Sequence, residues 1–254
     1  MNIFIYLMVA AGAVLVFYMI TEAFRTRVRH HQLSFGQLPA AFDGFRLFFI
    51  SDIHRRRLPD PLIETIRGNV DLVIIGGDLC EKGVPLARIE DNLRRLASLG
   101  PCVFVWGNND EEVGAQQLRR LLARHHVIEL VNSCKVITRG ADQLFIGGVD
   151  DIGHKRDDLS QVNAQSEEGF AVLVSHYPDI VDVLPHDHPF SLILSGHTHG
   201  GQIRIFGWGL EEKGQMKHRP GYVHLISNGF GTSTLPLRLA APAETHLIQL
   251  RRAK

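Results

Sequence analysis

The longest uninterrupted apolar stretch opens the chain: Ile3 to Ile20, IFIYLMVAAGAVLVFYMI, carries no charge. Eighteen residues at ~1.5 Å rise span about 27 Å, close to the ~30 Å hydrocarbon core of a bilayer. A secretory signal would carry basic residues before the stretch and a small-x-small cleavage site after it; neither is clear in the Met-Asn lead or in the TEAFRTRVRHH that follows. Arg25, Arg27 and Arg29 all lie after the stretch, which orients the remainder of the chain toward the cytoplasm and suits it to anionic headgroups. We therefore expect residues 1–22 to be a transmembrane anchor, 23–42 a basic juxtamembrane connector, and 43–254 the folded domain.

Beyond the connector the pattern changes to short apolar runs bounded by Gly, Asp, Asn or Pro: FRLFFIS (45–51), DLVIIGG (71–77), CVFVWG (102–107), LFIGGV (144–149), FAVLVS (170–175), FSLILS (190–195) and YVHLIS (222–227). Their length and their β-branched and aromatic content predict strands. Helical spacing separates the first three, in Leu62 to Arg67, in Pro85 to Leu99 (Leu86, Ile89, Leu93 and Leu96 on one face) and in Val113 to His125. Strand–helix alternation implies parallel pairing with both sheet faces covered. QIRIFG, YVHLIS and THLIQL read as antiparallel β further on. The sum is a mixed α/β domain with more strands than one Rossmann sheet needs, so two packed sheets are expected.

Charge and composition narrow the function. The 27 basic and 27 acidic residues cancel, so no global field attracts a nucleic-acid polymer. Fourteen His permit metal chemistry. Cys80, Cys102 and Cys134 show no metal-type spacing, and their odd number does not read as a disulfide framework; buried free thiols in a reducing compartment are expected.

The polar residues that end the runs carry the chemistry. FFIS leads into Asp52 and His54, VIIGG into Asp78, FVWG into Asn108, Asn109 and Asp110, VLVS into His176, and LILSG into His197 and His199. Any one of these reads as an ordinary turn or cap. Five in succession, at the strand ends where open α/β sheets gather their sites, do not. In Asp-x-His and His-x-His, alternation along an extended segment would aim both donors to one side. Carboxylate, imidazole and carboxamide donors without thiolate point to Mn, Fe or Zn. Seven donors exceed one tetrahedral ion and suit two, about 3.5–4 Å apart, sharing a carboxylate and holding a hydroxide for in-line attack at phosphorus.

The ordered set D-I-H (52–54), G-G-D (76–78), G-N-N-D (107–110), S-H-Y-P-D (175–179) and G-H-T-H (196–199) resembles the calcineurin-like, binuclear metallophosphoesterases over residues 43 to 251. S-G-H-T-H-G-G-Q (195–202) and N-G-F-G-T-S…L-P-L-R (228–238) are similar to a bacterial, membrane-associated branch that includes UDP-2,3-diacylglucosamine pyrophosphatase-like enzymes. The resemblance implies a four-layer sandwich: two mixed sheets flanked by helices, with the site at one end. It makes Asp52, His54 and His199 ligands of one ion, Asn108, His176 and His197 ligands of the other, and Asp78 the bridge.

One position departs from the family pattern. Where the family has His after the liganding Asn, this chain has Asn109, which can hydrogen-bond a phosphoryl oxygen but cannot supply a proton near neutral pH. Asn109 and Asp110 are the candidate catalytic residues. The function expected is a membrane-anchored hydrolase of phosphoric esters or pyrophosphate bonds. The alternative is a membrane-tethered, metal-binding scaffold with little turnover. The anchor favours a lipid-linked substrate. Arg55 to Arg57 read either as a phosphate grip or as a solvated basic turn, Phe206 to Gly209 either as an acyl-chain contact or as a core plug, and Asp150, Asp151 and His154 receive no role.

Overall fold

The computed structural model describes residues 2–166 and 169–253. In chain order its regular elements are α1 (Asn2–Ala23), β1 (Arg27–Phe35), β2 (Arg46–Ile50), α2 (Asp60–Ile66), β3 (Leu72–Gly76), α3 (Leu86–Ala97), β4 (Cys102–Val105), α4 (Ala115–Arg124) and β5 (Ile128–Glu129). They continue through β6 (Ser133–Arg139), β7 (Asp142–Gly148), α5 (Leu159–Ser166), β8 (Phe170–Val174), β9 (Phe190–Ser195), β10 (Gln215–Arg219), β11 (Tyr222–Ile226) and β12 (Glu244–Arg252).

The strands form two six-stranded sheets, ordered β1-β12-β2-β3-β4-β5 and β10-β11-β9-β8-β7-β6. The β2–β3–β4 and β7–β8–β9–β11 neighbours are parallel, with α2, α3 and α5 as the crossovers for β2–β3, β3–β4 and β7–β8. Alternation sorts the side chains. Leu47, Phe49, Ile74 and Val103 meet Ile146, Val172, Leu192 and Leu194 between the sheets. Phe48, Ile50, Val73 and Ile75 face outward onto Leu62, Ile66, Leu93, Leu96 and Leu122 of α2, α3 and α4. On the other outer face Ala171, Leu173 and Ile193 pack with Val162 of α5. The result is the four-layer sandwich, helix–sheet–sheet–helix.

Three segments differ from the sequence expectation. The connector expected over 23–42 contains β1, which pairs parallel with β12 from Arg27↔Glu244 to Phe35↔Arg252 and seals a sheet edge. QIRIFG forms no strand, only single bridges from Ile203 to Leu239 and from Ile205 to Trp208. YVHLIS, read as antiparallel, pairs parallel with β9 and antiparallel with β10. Cys80 and Cys102 are buried free thiols, while Cys134 is half-buried with Sγ 3.0 Å from Ser166 Oγ.

Among the described residues α1 is the one helix long and apolar enough to cross a membrane. It is exposed along most of its length and buried only toward its end, at Met19, Glu22 and Ala23. There Arg56 donates to the Phe24 and Arg25 carbonyls at 2.9 and 3.1 Å, and its guanidinium lies 3.6 Å from the Phe230 ring centroid. The Arg238 N–H donates to the Met19 carbonyl at 3.0 Å. The apolar helix is thus fastened to the loops that follow β2 and β11.

Candidate metal centre

Five parallel strands deliver the site. The loop after β2 carries Asp52 and His54, β3 leads to Asp78, β4 to Asn108–Asp110, β8 to His176, and β9 to His197 and His199. Strand alternation does not aim these donors, contrary to expectation. Asp52, His54, Asp78, His197 and His199 all adopt left-handed backbone, with φ between 49° and 70°. Outside glycine each such residue costs of order ~1 kcal/mol or more, and tight cross-loop pairing holds them there. Asp52 N–H donates to the Gly77 carbonyl at 3.0 Å, His54 N–H to that of Asp78 at 3.1 Å, and Gly196 N–H to that of His176 at 3.0 Å. Gly77 and Gly107 permit the approach: a Cβ on Gly77 (φ +86°) would strike His176 Nδ1, and one on Gly107 would strike Asp78.

All seven expected donors converge. Ligand atoms of Asp52, His54 and His199 lie within 4.8 Å of one another, and so do those of Asp52, Asp78 and His176. His54 Nε2 is 3.0 Å from His199 Nε2, which is 3.6 Å from Asp52 Oδ1. His197 Nδ1 is 3.3 Å from His176 Nε2 and 3.1 Å from Asn108 Oδ1. Asp78 Oδ2 stands between the groups, 3.6 Å from His54 Nε2 and 3.3 Å from His176 Nε2.

These contacts fit cations. His176 Nδ1 faces the Gly76 carbonyl at 2.9 Å, which leaves its Nε2 to present a lone pair to the cluster, and the Glu81 carboxylate lies 2.9 Å from His54 Nδ1 as an ion-pair contact. Imidazole nitrogens then meet across 3.0 and 3.3 Å beside two carboxylates, an arrangement that positive charge stabilises. Asp52 Oδ2 is buried without a hydrogen-bond partner. Burial opposes charge on His176, yet the adjacent Asp78 carboxylate pushes it up to about 10. Burial would raise Asp78, but charge and hydrogen bonding from His176 hold it well below the usual carboxylate range. Burial, reinforced by the nearby His54 and Arg238 charges, drives His199 down to about 3.

The two expected catalytic residues have different surroundings. Asn109 is half-buried, and its Nδ2 donates to Asp78 Oδ2 at 2.7 Å while its backbone N–H donates to Asp78 Oδ1 at 2.9 Å. Asp110 is fully buried. Its Oδ2 accepts the N–H groups of Asp78 and Gly107, each at 2.8 Å, and its Oδ1 accepts that of Cys80 at 3.1 Å. Burial and the Asp78 charge push its carboxyl up to about 7. Both Asp110 oxygens are thus committed to backbone N–H groups, so the carboxyl braces the loops around Asp78.

Sequence reasoning missed several neighbours. Glu81, three residues past Asp78, stands against His54. Arg238, in the quoted L-P-L-R, is fully buried and donates to the carbonyls of Asn228, Gly231 and Ala241 at 2.6, 2.6 and 2.8 Å, so it gathers the loop around His199. The arginine triplet divides: Arg55 pairs with Glu81, Arg56 holds α1, and Arg57 reaches Asp91 at 3.2 Å. Asp151 is buried and lies 2.5 Å from His154 Nδ1. Beside the cluster a cavity of about 420 Å³ is lined by His197, His199, Ile203, Leu210, Glu211 and Ser233, among others.

Fold and site together define a binuclear-type phosphoesterase, and the calcineurin-like phosphoesterase family model matches residues 45–201. The chain belongs to that family and is a metal-dependent phosphoesterase, with two Asp/His groups as candidate sites for its two divalent ions. It is similar to YpbG of Bacillus subtilis, 45% identical over 207 residues that cover 80% of each chain. It is also similar to the phosphodiesterase YaeI of Escherichia coli, 29% identical over 189 residues, 69% of this chain and 67% of that one. A 5′-nucleotidase precursor from Thermus thermophilus shares the fold, with a TM-score of 0.54 at 14% identity, covering 81% of this chain and 54% of the other.

Proposed function

We propose that this phosphoesterase is anchored in the membrane by α1, with its metal centre on the cytoplasmic side, and that it cleaves phosphodiester or pyrophosphate bonds. The observation that carries the substrate reading is Asn109, whose amide sits against Asp78 and has no proton to give a leaving group. Asp52, His54 and His199 would hold one ion, Asn108, His176 and His197 the other, and Asp78 both. When bound, the ions neutralise phosphoryl charge and activate water. The chain's own part is to orient: Glu81 and the Gly76 carbonyl stand against two imidazoles, and Asn109 fixes Asp78 through its backbone and side-chain N–H groups. Without a general acid here, leaving groups stable as anions are favoured, such as the phosphate of a pyrophosphate. The phosphodiesterase relative supports the same branch.

A panel run with Mn²⁺ tests this reading. Pyrophosphates and activated diesters should be cleaved with far higher kcat/KM than alkyl monoesters. A preference for alkyl monoesters would overturn it.

A further inference from the structure

The segment after His199 forms a braced hairpin that pushes apolar side chains into solvent. Ile205 and Trp208 exchange backbone hydrogen bonds at 2.9 Å across Phe206 and Gly207, both with positive φ, the geometry of a tight two-residue turn. Arg204 locks the turn from within, donating to the carbonyls of Gly200, Gly207 and Glu211 at 3.0, 2.7 and 2.8 Å. Phe206, Trp208 and Leu210 are 99%, 84% and 95% exposed, and Ile205 and Leu235 more than half. An ordered turn that presents four large apolar groups, with Leu235 tied nearby through the Gln202 side chain, marks a contact surface.

Its position names the occupant. Leu239 exchanges backbone hydrogen bonds at 2.9 Å with Gln202 and Arg204, and the next residue back, Arg238, bonds the Met19 carbonyl. Met19 lies inside the apolar run of α1, four residues before the helix end, or about 6 Å along the axis. The base of the hairpin is thus tied through two residues to that end of α1, and Trp is a side chain that favours the headgroup boundary. Leu210 of the hairpin and Ile203 just before it line the same cavity as His197 and His199.

We propose that the 205–210 hairpin, with Leu235, is a second membrane contact seated at the headgroup boundary beside α1, and that it admits a phosphorylated lipid to the metal centre with its acyl chains still in the bilayer. This rests on the anchored reading of α1. The full chain, reconstituted in phosphatidylglycerol–phosphatidylcholine vesicles brominated near the headgroup end of the acyl chains, provides the test. The wild type should float with the vesicles and lose the Trp208 part of its emission, and the bromine-sensitive part should vanish in Trp208→Phe, where buried Trp106 remains as reference. Failure to float would sink the anchor and this proposal together. Flotation without quenching would overturn the hairpin contact alone, as would Trp208 shielded from iodide yet insensitive to bromine, which would assign the surface to a second copy of the chain. In Phe206→Ser/Trp208→Ser, kcat/KM for a long-chain lipid pyrophosphate should fall about ten-fold relative to its water-soluble headgroup analogue. An unchanged ratio would overturn the lipid route.

Discussion

The Asn109 side-chain amide donates to Asp78 Oδ2, the same oxygen that lies 3.6 Å from His54 Nε2 and 3.3 Å from His176 Nε2. The residue that replaces the family histidine therefore serves the central carboxylate and contributes no proton. Asn109→His should raise kcat on substrates with alkyl leaving groups by ~10² or more, the usual scale of general-acid help, and change pyrophosphate cleavage little. Leaving-group series on both proteins check this; equal gains on both classes would remove the leaving-group argument.

Gly107 is packed against Asp78 so closely that any side chain collides with its carboxylate and its backbone N–H. Gly107→Ala should displace Asp78, cost roughly 1–3 kcal/mol of stability from overpacking, and weaken metal binding. Isothermal titration with Mn²⁺ and urea unfolding read the two effects. Wild-type affinity in the variant would show that the loop has slack the structure does not display.

Asp110 braces three backbone N–H groups. Asp110→Ala leaves them unpaired in a buried site, at ~1–3 kcal/mol each, so unfolding should come at least roughly 3 kcal/mol earlier. An unshifted melting temperature with lost turnover would return Asp110 to the chemistry.

Buried histidines away from the ions give the fold an acid limit. Burial, aided by the Lys217 charge, pushes His224 down to about 4, and burial with His31 and Arg29 pushes His246 down to about 3. Both are neutral when folded and take up a proton on unfolding below their ordinary value of 6.5. Their contribution is full above pH 6.5 and is lost progressively as pH falls toward the folded values. His224→Gln should make the stability loss between pH 6.5 and 4 shallower. Parallel urea-midpoint profiles for wild type and variant would contradict this.

The strands that bear the site were legible because they are buried on both faces and read as continuous apolar runs ending in donors. β1 was not: RVRHHQLSF is an edge strand with only Leu33 fully buried, so its composition mimics a basic linker. QIRIFG misled in the opposite direction, since its Ile205 and Phe206 project into solvent from a turn. The donors were legible by type and order, but the means of aiming them was not. Five left-handed residues replace the strand alternation that the motif spacing suggests, and only cross-loop hydrogen bonds reveal why that backbone is held. The bracing contacts of Asp110 were not legible, because proximity in sequence to Asn108 says nothing about which N–H groups fold over a carboxylate.

The central claim is that two ions act together on phosphate at this cluster. Protein stripped with a chelator and titrated with Mn²⁺, while bis(p-nitrophenyl) phosphate hydrolysis is followed, tests it most directly. Turnover should be lost on stripping and return only as the second equivalent binds. Full turnover at one equivalent, or turnover indifferent to stripping, would contradict the account.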